Sequence, residues 1–191
     1  ILPALWNTIL ILGLSFAISI LISIPAGIVA AIRQYSRTDY IINLIAFIAI
    51  SIPSFWLAII LITVFSVILG ILPAGGMETI GVDSIWDKLK YLVLPVATLT
   101  LLSLGAQVRF TRSEMIQTLR QEFILTARAK GAKELRVVLK HALRNAMIPV
   151  TTIIALEFGF LFSGALTVEI VFAYPGMGKL IFDAIIGNDF N

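Results

Sequence analysis

Residues 109–145 hold nine cationic side chains, Arg109, Arg112, Arg120, Arg128, Lys130, Lys133, Arg136, Lys140 and Arg144, against three acids, Glu114, Glu122 and Glu134. Such a run performs no acid–base catalysis. It attracts anionic surfaces, and beside apolar segments it marks the inner side of a membrane. The groups that catalysis needs are scarce: the chain has no cysteine and one histidine, His141, which excludes disulfides, thiolate chemistry and a zinc site built from histidines. His141 reads as a solvated residue of the basic loop. Glu157 is the one obvious ionisable group deep in an apolar stretch, where a carboxylate costs about 2.5–3.5 kcal/mol on insertion scales. Two readings stand side by side: it lines a cavity, or it is a protonated or hydrogen-bonded acid held between helices. An intramembrane hydrolase would need a second acid or histidine at that depth, and the sequence offers none. An ion-coupled carrier with Glu157 as proton site is the other alternative. Gly176-Met-Gly178-Lys179 has the outline of a phosphate loop, but the earlier glycine is Ala173 and the residue after the lysine is Leu180, so it reads as a turn.

The elements that carry these groups are helices in lipid. With 59% hydrophobic residues, 13% charged residues and a mean hydropathy of +1.02, 191 residues have too little polar surface for a soluble domain. Hydropathy marks four spans, at about residues 5–32, 40–69, 91–108 and 149–168, in one all-α domain covering 1–191. Pro53 kinks the second span, and Pro149 opens the fourth as a first-turn residue. The turn 33–39 and the loop 109–148 are basic and lie inside. Residues 73–90, with Glu78, Asp83 and Asp87, and residues 169–191 lie outside. Within the loop, Leu135, Val138, Leu139, Ala142 and Ala146 form the apolar face of an amphipathic helix, with Lys133, Arg136, Lys140 and Arg144 on the other face. Gly131 separates it from a preceding helix, so the loop reads as helix, sharp turn, helix. Ser15, Ser19, Ser23 and Gly27 make a small-residue stripe on the first span, as do Thr152, Ala155, Gly159 and Ser163 on the fourth.

Thr126-Ala-Arg-Ala-Lys-Gly131 followed by His141-Ala-Leu-Arg-Asn-Ala-Met-Ile-Pro149 resembles the "EAA" loop of permease subunits of bacterial ATP-binding-cassette importers, in the peptide/nickel branch. Ser51-Ile-Pro-Ser-Phe-Trp-Leu57 and Glu169-Ile-Val-Phe-Ala-Tyr-Pro-Gly-Met-Gly178 agree with the same family, in the same order. Leu72-Pro-Ala-Gly-Gly76 resembles the B-type partner of that branch. One departure is visible: where the family has Glu-Ala-Ala before the loop glycine, this chain has Leu125, Thr126 and Ala127.

The resemblance implies the type I importer permease fold, an all-α helical bundle, with a further helix at each end of the full subunit. It implies a coupling surface at Thr126, Ala127, Arg128, Ala129, Lys130, Gly131, Ala132, Lys133, Glu134 and Leu135, and an outer loop or gate at Glu169, Pro175 and Gly176. Glu157, Phe160 and Gly164 are candidate translocation-path residues. The implied partners are a second homologous permease, two cytoplasmic ATPases that hydrolyse the ATP, an extracytoplasmic solute-binding protein and membrane lipid. No cofactor, metal or nucleic acid is expected. The expected cargo is a di- or oligopeptide or a related small solute such as a nickel chelate.

Overall fold

The computed structural model describes residues 1–82 and 84–187; Asp83, counted above among the outer acids, and residues 188–191 lie outside the described residues. The described residues form helices and no strand: α1 (Leu2–Ile32), α2 (Arg37–Ser51), α3 (Ser54–Leu61, continued by a π-helical Ile62–Ile68), α4 (Ile85–Leu119), α5 (Glu122–Ala129), α6 (Glu134–Arg136, continued by a π-helical Val137–Ala142), α7 (Leu143–Val171) and α8 (Met177–Ile186). Among the described residues, three helical stretches are long and apolar enough to cross a membrane, Leu2–Ile32, Ile85–Leu119 and Glu134–Val171.

The second expected span is broken rather than kinked. Helix α2 ends at Ser51 and α3 begins at Ser54, with Ile52 and Pro53 between them. Proline has no N–H and disfavours the α conformation in the residue before it, so the ladder stops at Ser51 and restarts after Pro53, which holds φ −59°, ψ 143°. At the end of α2, Ser51 Oγ donates to the Phe47 carbonyl at 2.8 Å.

Two helices run past the spans read from hydropathy. Helix α4 continues to Leu119 because Arg, Glu, Gln and Met are good helix formers, while a hydropathy window sees only the apolar part. Pro149 lies inside α7, six residues after its start at Leu143, and does not open it. The carbonyl that its missing donor leaves bare belongs to Asn145, an exposed residue, where water can take the bond.

The contacts divide the chain into two compact units. The first is Ile1–Ile18, Ile52–Leu102 and Gly159–Asn191; the second is Ser19–Ser51 and Ser103–Phe158. The first packs Ile11 and Leu12 of α1, Ala58 of α3, Leu94 and Leu99 of α4 and Leu161, Ala165 and Val168 of α7, closed by Phe172 and Tyr174. There Thr100 Oγ1 donates to the Ser15 carbonyl at 3.3 Å. The second packs Ala31, Met115, Ile124, Val137, Val138, Ala142 and Ala146. The small-residue stripe of α1 is buried in both. In the second unit Ser23 Oγ donates to Gln107 Oε1 at 2.9 Å, and a Cβ on Gly27 would stand 2.6 Å from Thr111 Cβ, so α1 and α4 touch closely. Charge separates with the units. Of the 14 Lys and Arg only Lys88, Lys90 and Lys179 belong to the first, whereas four of the nine described acids, Glu78, Asp87, Glu169 and Asp183, do. The basic unit thus has the charge of an inner membrane flank.

Candidate functional site

The basic loop is built on a turn that only a permissive residue can make. Helix α5 ends in a Schellman motif: Ala132 N–H donates to the Ala127 carbonyl at 3.2 Å and Gly131 N–H to Arg128 at 2.9 Å, with Gly131 at φ +78°. Lys133 then returns to an extended backbone and starts α6. Arg128 and Glu134 clasp across the turn, Nη2 to Oε1 at 2.6 Å and Nε to Oε2 at 3.2 Å, and this bonding raises the arginine above its usual pKa. The pair is exposed, so it steers the turn more than it stabilises it.

The inner side of the loop is apolar. Ile124 of α5 and Val137, Val138 and Ala142 of the π-helical segment pack on Ala31 of α1 and Met115 of α4. Here the expected apolar face is corrected: Val138, Ala142 and Ala146 are buried, but Leu135 and Leu139 are exposed and Val137 takes the inner place. A π turn holds more residues than an α turn, so the face rotates through Val137–Ala142. Thr126, Arg128, Ala129, Lys130, Gly131, Lys133, Glu134 and Leu135 are exposed, while Ala127 and Ala132 are half-buried against the core. The outer surface therefore offers cations around protruding Leu135 and Leu139, beside a cleft of about 420 Å³ bordered by Phe123, Lys130, Gly131, Arg136 and His141.

Glu169, Pro175 and Gly176 gather in the first unit. Glu169 is 0% exposed. Its Oε1 accepts from Thr8 Oγ1 at 2.5 Å and its Oε2 from the Lys179 N–H at 3.1 Å, in the first turn of α8. Thr8 Oγ1 in turn accepts the Met177 N–H at 2.8 Å, so residues from α1 and α7 cap α8, whose own N-cap, Gly176, has no side chain. A carboxylate there also meets the positive end of the helix dipole. A Cβ on Gly176 would overlap that carboxylate. Asn7 Nδ2 donates to the Pro175 carbonyl at 2.8 Å. Ala173 sits at φ +48° in a second Schellman motif, its N–H donating to Ile170 and that of Tyr174 to Glu169. Burial, and then the Glu169 charge, push the buried Tyr174 phenol up to about 12.

The three path candidates share one helix and meet different surroundings. Glu157 falls in the buried stripe of α7, Ala146, Val150, Ile154, Leu161 and Ala165, and lies beside Gln107. The two do not reach hydrogen-bond geometry: Gln107 Nε2 and Glu157 Oε2 each have no partner among the described residues. Phe160 is 76% exposed, and Gly164 lies against Leu99 and Leu102. The small-residue face of α7, Thr152, Ala155, Gly159 and Ser163, is exposed on this chain.

Sequence reasoning passed over Asp39. Its buried carboxylate takes Arg112 Nε and Nη2 at 2.7 Å each, the Tyr35 N–H at 2.9 Å and Asn43 Nδ2 at 2.7 Å. The only hint in the sequence is Ser36-Arg-Thr-Asp39, a capping-box spacing, and Ser36 Oγ does accept the Asp39 N–H at 3.2 Å. Tyr35 is held at φ +60° in the same turn.

The chain is 44% identical over all of its 191 residues to the oligopeptide transport system permease protein AppB of Bacillus subtilis, covering 60% of that protein. It is 43% identical over 188 residues, 98% of the chain and 57% of the relative, to the glutathione transport system permease protein GsiC of Escherichia coli. The chain thus spans about 60% of the length of the curated relatives it matches. Residues 23–191 match the family described as binding-protein-dependent transport system inner membrane component. With helices fit to cross a membrane, a basic loop turning at Gly131 and a family match over most of its length, the chain belongs to the inner-membrane components of binding-protein-dependent transport systems.

Proposed function

We propose that this chain is the membrane core of a permease subunit in an ATP-driven importer of peptides or a chemically related small solute. What supports the reading most is the loop turning at Gly131: its inner face is fastened to α1 and α4 by Ile124, Val137 and Val138, and its outer face presents Leu135 and Leu139 among cations. That is the form of a docking surface for a cytoplasmic ATPase, because motion imposed on it passes directly into membrane helices. The names of the relatives support peptide-like cargo. A second permease, two ATPases and an extracytoplasmic binding protein complete the assembly. ATP binding then biases the helices between inward-open and outward-open arrangements, and ATP hydrolysis belongs to the partner subunits.

The test uses the full-length subunit in a strain that lacks it. A cysteine at Leu139 is expected to cross-link to an ATPase, and uptake of a labelled peptide is expected to stop when ATP is exhausted. Uptake that continues on a proton gradient without any ATPase would overturn the proposal.

A further inference from the structure

Where α4 leaves its apolar stretch and enters the basic loop, the second unit has an open cleft of about 430 Å³, separate from the coupling surface. Arg109 and Ser113, one turn apart on α4, face it together with Arg112 and Phe110, and Asn43 and Ile50 of α2 close the other side. The two arginines differ. Arg112 donates Nε and one Nη2 hydrogen to Asp39, so its charge is balanced, and both Nη1 hydrogens are left to donate. Arg109 has no carboxylate within ion-pair distance among the described residues; its guanidinium lies 4.5 Å from the centre of the Phe47 ring. Ser113 Oγ accepts from Gln117 Nε2 at 3.3 Å, which leaves its hydroxyl hydrogen free to donate. The cleft thus combines one uncompensated positive charge, a fork of guanidinium donors, a hydroxyl donor and an apolar wall of exposed Ile50 and Phe110.

We propose that this cleft binds the phosphodiester headgroup of an anionic membrane phospholipid, with Arg109 as its charge partner, Arg112 Nη1 and Ser113 as further donors, and Ile50 and Phe110 against the acyl chains. One net charge matches one phosphodiester. The apolar wall favours a lipid over a soluble anion, and the position at the basic end of a membrane helix is the depth at which headgroups lie.

The experiment takes the full-length subunit in its assembled transporter, in mild detergent, and measures bound lipid by native mass spectrometry during titration with phosphatidylglycerol or phosphatidylcholine. Wild type is expected to prefer phosphatidylglycerol. Arg109→Gln should weaken that binding about fivefold, while Arg109→Lys retains most of it and Arg33→Gln, an exposed arginine outside the cleft, leaves it unchanged. Equal loss in Arg33→Gln would mean diffuse attraction to the basic flank and overturn the site, as would unchanged binding in Arg109→Gln. Displacement of phosphatidylglycerol by millimolar inorganic phosphate would assign the cleft to a soluble anion. Weakened pairing of the permease subunits with lipid binding intact would assign it to a protein partner. Either result rejects the lipid site.

Discussion

Thr8 and Glu169, 161 residues apart in the chain, are joined by a 2.5 Å hydrogen bond, and between them they cap the N-terminus of α8. Among the described residues no cation is a hydrogen-bond partner of the Glu169 carboxylate, which accepts from one hydroxyl, that of Thr8, and one backbone N–H, that of Lys179 at the start of α8. Glu169→Ala removes the acceptor for both and is expected to cost about 1–3 kcal/mol. Hydrogen exchange should show the amides of residues 177–180 losing protection before those of α7. Protection equal to wild type would show that α8 is seated by its apolar contacts alone. Gly176→Ala should be as harmful, since its Cβ would collide with the carboxylate.

At Gly131 backbone geometry is the constraint, and space is not. A Cβ there meets nothing within 4 Å, but φ is +78°. Gly131→Asn should therefore be tolerated, whereas Gly131→Val should cost more than about 1 kcal/mol locally and misdirect Leu135 and Leu139. The valine variant is expected to insert normally, yet lose co-purification of the ATPase and solute uptake. Equal behaviour of the two variants would reject the left-handed turn as the cause.

The Asp39–Arg112 pair is suited to a double-mutant cycle. Arg112→Ala strands a buried carboxylate and should destabilise by roughly 3–5 kcal/mol. Asp39→Ala should cost less, because the guanidinium is partly solvated. Unfolding in detergent should show the double variant well short of the sum, and simple additivity would mean that the pair contributes nothing as a pair.

Glu157 separates a path role from a packing role. As a path residue, Glu157→Gln changes transport rate or solute preference while assembly and ATPase attachment stay at wild-type levels. Unchanged transport of every solute, with lower thermal stability, would assign it to packing beside Gln107.

Much of the helical architecture was legible because lipid allows few alternatives, and the span cores at 5–32 and 91–108 coincide with helix. What was hidden depended on relationships that sequence spacing does not encode. Pro53 and Pro149 are the same residue type in similar apolar surroundings, yet one breaks a helix and the other rides inside one. Asn145, four residues before Pro149, is exposed, whereas Ala49, four residues before Pro53, is buried. The π-helical segment turned Leu139 outward and Val137 inward, which no 3.6-residue count reveals. Asp39 could be read as a helix-start acid, but its partner lies 73 positions away. Around the start of α8 the sequence singled out Glu169, Pro175 and Gly176; it could not show that Asn7 and Thr8 complete their hydrogen bonds.

The uneven charge of the two units bears on assembly kinetics. A loop with Arg128, Lys130, Lys133, Arg136 and Lys140, tempered locally by Glu134, sends a positive field toward any soluble partner approaching the second unit. A partner of opposite sign is drawn in faster than diffusion alone would bring it, and added salt slows that encounter within a screening length of about 8–10 Å. Escape is governed differently. Once Leu135 and Leu139 are covered, dissociation must re-expose apolar surface, which ions screen little. Raising ionic strength should therefore lengthen the time to assemble far more than it shortens the life of the assembled complex.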